Sequence, residues 1–173
     1  MLGEQRRKKI LEFLTSSEGP QSASKIASMF DVTRQIIVSD IALLRAQGHP
    51  IRAEHRGYVI NKVESSLLTK RIICKHDVGG TLDEFYAIVD NGGKVYDVII
   101  DHDLYGEIEG QLGIESRLDA EEFMEQMTKS KSIPLSALTD GVHIHTIGVK
   151  NEAAFERIKK LLTEKGILME ECN

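Results

Sequence analysis

The sequence predicts an α+β protein in two parts: a small helical module ending in a hairpin over residues 1–62, then a separate α+β module over residues 67–173. Three observations carry this. A chain of 173 residues can hold one large or two small domains. Apolar residues recur at helical spacing to about residue 48 and then give way to alternating and β-rich runs. The charge divides as well: residues 1–62 carry 10 Lys/Arg against 6 Asp/Glu, a net of +4, and the remainder 12 against 21, a net of -9. A basic module suits an anionic partner, and an acidic one a different task.

With 41% hydrophobic and 28% charged residues, the composition is that of an ordinary globular protein. No run approaches the roughly 20 apolar residues of a membrane span, and Arg6-Arg7-Lys8-Lys9 leads into an amphipathic segment rather than a signal-peptide core. A cytoplasmic protein without a membrane partner is expected. Cys74 and Cys172 lie far apart with no C-x-x-C, which points to reduced thiols rather than a disulfide framework or a cysteine zinc site.

In the first module, Ile10, Leu11 and Leu14 share a face of a helix over about 4–15. Ala23, Ile26, Ala27 and Phe30 define a second, capped by Ser22. Asp31-Val32 is the turn. A third helix begins at Thr33 as N-cap, buries Ile37, Ile41 and Leu44, and ends near Gly48. This order is that of a helix-turn-helix, whose last helix enters the DNA major groove with its N-terminal residues at the base edges. Those residues are Thr33, Arg34, Gln35, Val38 and Ser39. Arg34 can bridge guanine O6 and N7, and Gln35 can pair with adenine. Residues 51–60 alternate apolar and polar with a central turn, as a β-hairpin wing does, and would carry Arg52, His55 and Arg56 to phosphates. The alternative is a protein-interaction domain on which these side chains are merely solvated. The phrases 32–41, 44–48 and Arg56-Gly57-Tyr58 also resemble winged helix-turn-helix domains of biotin-repressor type.

In the second module, residues 70–76 read as a strand, 81–90 as a helix, 94–101 as a β-rich run, 119–129 as a helix, 142–149 as a strand, 151–164 as a helix and 166–170 as a strand. The result is an α+β domain with a mixed or antiparallel sheet. Four of the six histidines lie here. His143-Ile144-His145 stands out, because strand residues two apart point to one face and bring two imidazoles together, a common way to present metal ligands. His76 at a strand end and Glu84 near a helix start could complete a site. Two other readings stay open: His143 and His145 on a wet sheet face, and Glu84 closing a capping box with Thr81. Cys74 shares a strand face with His76, and a buried inert thiol is the favoured reading for it.

Lys75-His76-Asp77, Asp101-His102-Asp103-Leu104-Tyr105-Gly106-Glu107 and Gly141-Val142-His143-Ile144-His145-Thr146, joined to this winged helix, resemble the 3H domain. From about Arg6 to its end the chain is similar to the NiaR-type repressors of NAD biosynthesis and niacin-uptake genes. The resemblance implies a repressor of a double-stranded DNA operator, with nicotinic acid as co-repressor and a transition metal held at the positions of His76, Glu84, His143 and His145; a homodimer is expected because one helix-turn-helix reads too few bases. His102 and Tyr105 are the candidate ligand contacts. The family usually has Pro-Val after its second histidine, where this chain has Asp103-Leu104. Three neutral imidazoles and one carboxylate would leave a divalent ion with net charge +1 and open positions for a pyridine nitrogen or a carboxylate. Zinc, nickel and iron all suit such donors. A metal-dependent enzyme with an accessory helix-turn-helix is the alternative, although G-x-S-x-G, P-loop and H-E-x-x-H are all absent. A biotin-ligase-like bifunctional regulator would need a glycine- and arginine-rich loop that the chain lacks.

Overall fold

Caps decide where the first helices start and stop. In the computed structural model, which describes residues 3–60 and 67–169, Ser22 Oγ accepts from the Lys25 N–H at 3.1 Å and Thr33 Oγ1 from the Ile36 N–H at 3.4 Å. They open α2 (Ala23–Phe30) and α3 (Arg34–Ala46), which follow α1 (Gly3–Ser16). Asp31, left-handed at φ 51°, closes α2 through its N–H to the Ala27 carbonyl and sets the tight turn into α3. Ile10, Leu14, Ile26, Ile37, Ile41 and Leu44 meet in one core, to which the antiparallel wing β1 (Ile51–Glu54) and β2 (Gly57–Ile60) adds Ile51. Tyr58 exchanges both backbone hydrogen bonds with Gln21 at 2.9 Å, so the wing is anchored to the segment before α2. Gly57 permits this approach: its φ is 134°, and a Cβ there would overlap the Gln21 carbonyl.

Asp40, 3% exposed, ties α1 to α3 by accepting from Arg6 Nε at 2.6 Å and Arg7 Nη1 at 3.4 Å. Two cations of the N-terminal run therefore serve the fold. Removing the carboxylate strands two partly buried guanidinium groups, so Asp40→Ala should destabilise this unit by about 2 kcal/mol, below the range for fully buried pairs. Thermal unfolding of this variant beside wild type measures it.

The chain divides into two compact units, residues 1–64 and 65–173. In the second, β3 (Leu68–Lys75), α4 (Thr81–Val89), β4 (Lys94–His102), β5 (Gly106–Ile114), α5 (Arg117–Ser130), β6 (Val142–Val149) and α6 (Glu152–Glu164) follow in order. The sheet runs β3-β6-β4-β5 with every neighbour antiparallel, which settles the choice left open by the sequence. Ile72, Val95, Ile147 and Val149 of the sheet share a core with Phe85 and Ile88 of α4 and with Ile158 and Leu162 of α6.

Three expectations need correction. The sequence reading has no strand at 106–114, yet β5 forms there by pairing with β4 across a hairpin. Residues 166–170, expected as a strand, make a single bridge, Leu168 to Cys74, within the described residues; Glu170 lies outside them. No capping box forms at Thr81. A 3-10 turn, Val78–Gly80, runs directly into α4 and already engages the Gly80 and Thr81 N–H groups, so Thr81 is helical, Gly80 is the cap residue and Glu84 is released from that role.

Candidate metal centre and recognition helix

Cross-strand pairing builds the centre. His143 and His145 lie on β6 opposite Cys74 and Ile72 of β3, and α4 lays Glu84 against the same face. His143 is 3% exposed, His145 2% and Glu84 0%, so the wet-face reading of the histidines fails. His76, expected as the last residue of a strand, comes instead from the loop one residue past the end of β3. Its Nε2 lies 2.6 Å from Glu84 Oε2; those of His143 and His145 lie 3.1 and 3.4 Å from the same oxygen.

The outer nitrogens fix the tautomers. Nδ1 of His76 faces the Asp77 carbonyl at 2.5 Å, Nδ1 of His143 the Gly141 carbonyl at 2.8 Å, and Nδ1 of His145 the Asp97 carbonyl at 2.5 Å. A carbonyl only accepts, so each Nδ1 must carry hydrogen. In the neutral rings all three Nε2 lone pairs then point at a carboxylate oxygen. This is repulsive unless protons or a cation come between them. Glu84 Oε1 is buried and accepts no hydrogen bond. Three convergent Nε2 donors oriented by backbone carbonyls, with a half-satisfied carboxylate, fit a divalent transition metal. Glu84 Oε2 itself now stands where the three nitrogens converge.

Electrostatics agree. Burial alone would lower the pKa of His76 and of His145, but the charge and hydrogen bonding of Glu84 outweigh it and raise both. Burial would raise Glu84, yet the charge of His145 and the three imidazole hydrogen bonds hold it well below the usual carboxylate range. Burial, then the Glu84 carboxylate, push the Cys74 thiol far up.

Two supports carry no signal in a motif reading. Gly141, at φ 83°, supplies the carbonyl to His143, and a Cβ there would overlap the His76 carbonyl. Its place after Asp140 is the only sequence hint, a turn dipeptide. Asp97 orients His145 by its carbonyl while its carboxylate accepts the Thr146 N–H at 2.8 Å.

His102 and Tyr105 lie on the β4–β5 hairpin, ring centroids 5.0 Å from each other, with Tyr105 exposed. His102 Nδ1 accepts the Leu104 N–H at 3.2 Å, a tautomer opposite to that of the three buried rings and suited to closing the turn. Beside His76 opens a cleft of about 550 Å³ lined by Lys75, Asp77, Val78, Pro134 and Asp140, among others.

In the first unit, Thr33, Arg34, Gln35 and Ser39 lie exposed at the start of α3, with Ser39 Oγ donating to the Gln35 carbonyl at 3.1 Å. Val38, and Arg52, His55 and Arg56 on the wing, are half-buried. None of the described helices is long and apolar enough to cross a membrane.

Comparison with known proteins places both units. A 3H-domain model matches residues 69–171 and an HTH-domain model residues 6–59. The chain is 39% identical to the "Probable transcription repressor NiaR" of Thermotoga maritima over 168 residues, covering 97% of this chain and 95% of that protein. It is 34% identical to the "Transcription repressor NadR" of Bacillus subtilis over 174 residues, covering 99% and 97%.

Proposed function

Because the chain belongs to the 3H-domain family of helix-turn-helix transcription repressors, we propose that it represses genes of NAD biosynthesis or niacin uptake, with nicotinic acid as co-repressor. Residues 1–62 read DNA and residues 67–173 sense the ligand. The observation that carries the sensing role is the convergence of His76, His143 and His145 on Glu84, in a protein whose helix-turn-helix already accounts for DNA binding. When bound, a divalent metal supplies Lewis acidity and open positions for a pyridine nitrogen or carboxylate. The enzyme reading is disfavoured, since both relatives carry repressor names over nearly their whole length.

The way in is the cleft beside His76, in which Lys75 is the only lysine or arginine among the described lining residues. Its Nζ lies 3.5 Å from Asp140 Oδ2 with both side chains well exposed, a weak pair that a ligand carboxylate can replace. Lys75→Ala should lower nicotinate affinity about fivefold, about 1 kcal/mol, and leave any nicotinamide binding unchanged. Calorimetric titration of the two ligands decides it; equal losses for both would remove Lys75 from carboxylate recognition.

One helix-turn-helix reads few bases, so the protein should act as a homodimer on a palindromic operator with half-sites about 34 Å apart or a multiple of that. The direct test is operator binding by gel shift with and without nicotinate and metal, beside a thermal-shift screen of pyridine carboxylates and biotin. Tightening by nicotinate only with metal supports the proposal. A response to biotin alone, or full affinity of a monomer for one half-site, overturns it.

A further inference from the structure

We propose that Cys74 is a ligand of the same metal centre, giving it a thiolate beside Glu84 and His143 and a preference for thiophilic divalent ions such as zinc or cobalt. The inference rests on the proposal that the histidine cluster holds a metal, and it changes the chemical class of ion that cluster should take.

Position is the first argument. Cys74 pairs directly with His143 across β3 and β6, so both side chains leave the sheet on the face that α4 covers with Glu84. Donor spacing is the second. The Cys74 sulfur, a Glu84 oxygen and a His143 nitrogen all lie within 4.8 Å of one another. With metal–sulfur bonds of about 2.3 Å and metal–nitrogen or metal–oxygen bonds of about 2.0–2.2 Å, neighbouring ligands of a six-coordinate ion stand about 3 Å apart, so modest side-chain movements suffice and the five protein donors still leave a position for a ligand nitrogen or carboxylate.

The third argument is independent of the cysteine. Glu84 is 0% exposed, and its Oε1 is a buried acceptor without a hydrogen-bond partner, a costly arrangement unless a cation uses it. Charge points the same way. Three imidazoles and one carboxylate leave a buried divalent ion at net +1, whereas a thiolate brings the centre to neutrality and lowers the cost of holding it away from water. On binding, the thiol gives its proton to solvent, the sulfur–metal bond replaces the S–H bond, and no electron changes hands.

Cobalt reports sulfur ligation directly. Cys172→Ser leaves Cys74 as the sole cysteine of the chain. This protein, stripped with chelator and reloaded with Co²⁺, should bind one ion per chain and show a sulfur-to-cobalt charge-transfer absorption in the near ultraviolet beside the visible cobalt bands. Adding Cys74→Ser should abolish the charge-transfer absorption and weaken Co²⁺ binding about tenfold or more, with Cys74→Ala and circular dichroism guarding against a folding defect. Bound cobalt without charge-transfer absorption, or an unchanged spectrum and affinity in both Cys74 variants, overturns the inference and leaves the histidine centre standing. Failure of the parent protein to bind Co²⁺, Zn²⁺ or Ni²⁺ overturns the centre itself.

Discussion

Replacing His143 with alanine is expected to lower metal affinity by more than about 100-fold and to abolish nicotinate-dependent operator binding in the same variant. His143 lies between its two partner rings, with centroids 4.8 Å from both His76 and His145, so its loss opens the middle of the donor set. Salt-sensitive, ligand-independent DNA binding should persist, because the proposed base and phosphate contacts all come from residues of the first unit. Metal content per chain, nicotinate titration and operator binding must fail together. A variant with full metal occupancy and normal nicotinate affinity would remove His143 from the site.

The same expectation has a pH signature. In the metal-free protein the raised pKa values of His76 and His145 contribute stability that is fully present below about 6.5, the unfolded histidine value, and lost as pH rises through the folded values. The depressed Glu84 pKa contributes stability present above its ordinary value and lost as pH falls through the folded one. The titratable groups facing these rings are Glu84, the neutral Cys74 thiol and the neighbouring Asp77 and Asp97. Metal must displace protons from the imidazoles, so its stabilising effect should grow as pH rises through and above 6.5 and vanish in acid. Free metal a thousandfold above Kd would add about 4 kcal/mol, about 15 °C or more in Tm for a unit of this size. A metal-induced Tm shift that is flat or falling from pH 6 to pH 8 would contradict imidazole ligation.

Legibility differed between the two units for physical reasons. Helices α1 to α3 were readable because their apolar residues keep one period and Ser22 and Thr33 are strong caps. β5 was not: Gly106, Gly110 and Gly113, with Glu107 and Glu109, depress strand propensity, and the strand is held by pairing with β4 instead. The reverse error came at 166–170, where the Ile167 and Leu168 N–H groups turn back to the Leu162 carbonyl at the end of α6 and the described residues make one bridge. In the candidate site, strand alternation brings His143 and His145 to one face without help from a family pattern. His76 at a strand end and Glu84 near a helix start were legible as possible partners and the resemblance singled them out, while their meeting itself depends on a loop held by Gly141 and on the entry angle of α4. Arg6 and Arg7 mark the limit of charge counting: a cation tally cannot tell a guanidinium held by buried Asp40 from one free to meet DNA.

On the DNA side, two arginines should fail in different ways. Arg34 is exposed in the first turn of α3, where the Thr33 cap fixes the helix start and so the direction in which the side chain leaves it. If it bridges guanine O6 and N7, Arg34→Ala costs about 1–3 kcal/mol at the cognate operator, roughly 5- to 150-fold, and relaxes preference at one base pair. Arg56 stands at the turn of the wing, next to Gly57, whose missing Cβ lets Tyr58 anchor the hairpin to Gln21. Phosphate contact there carries no base information, so Arg56→Ala should weaken all sequences alike and reduce the slope of log K against log salt by about one. Because Arg56 is half-buried, circular dichroism of the variant must first show an intact fold. Affinities for the operator, single-base variants and unrelated DNA at several salt concentrations separate the two roles. Identical behaviour of both variants across that panel would mean that α3 does not read bases through Arg34.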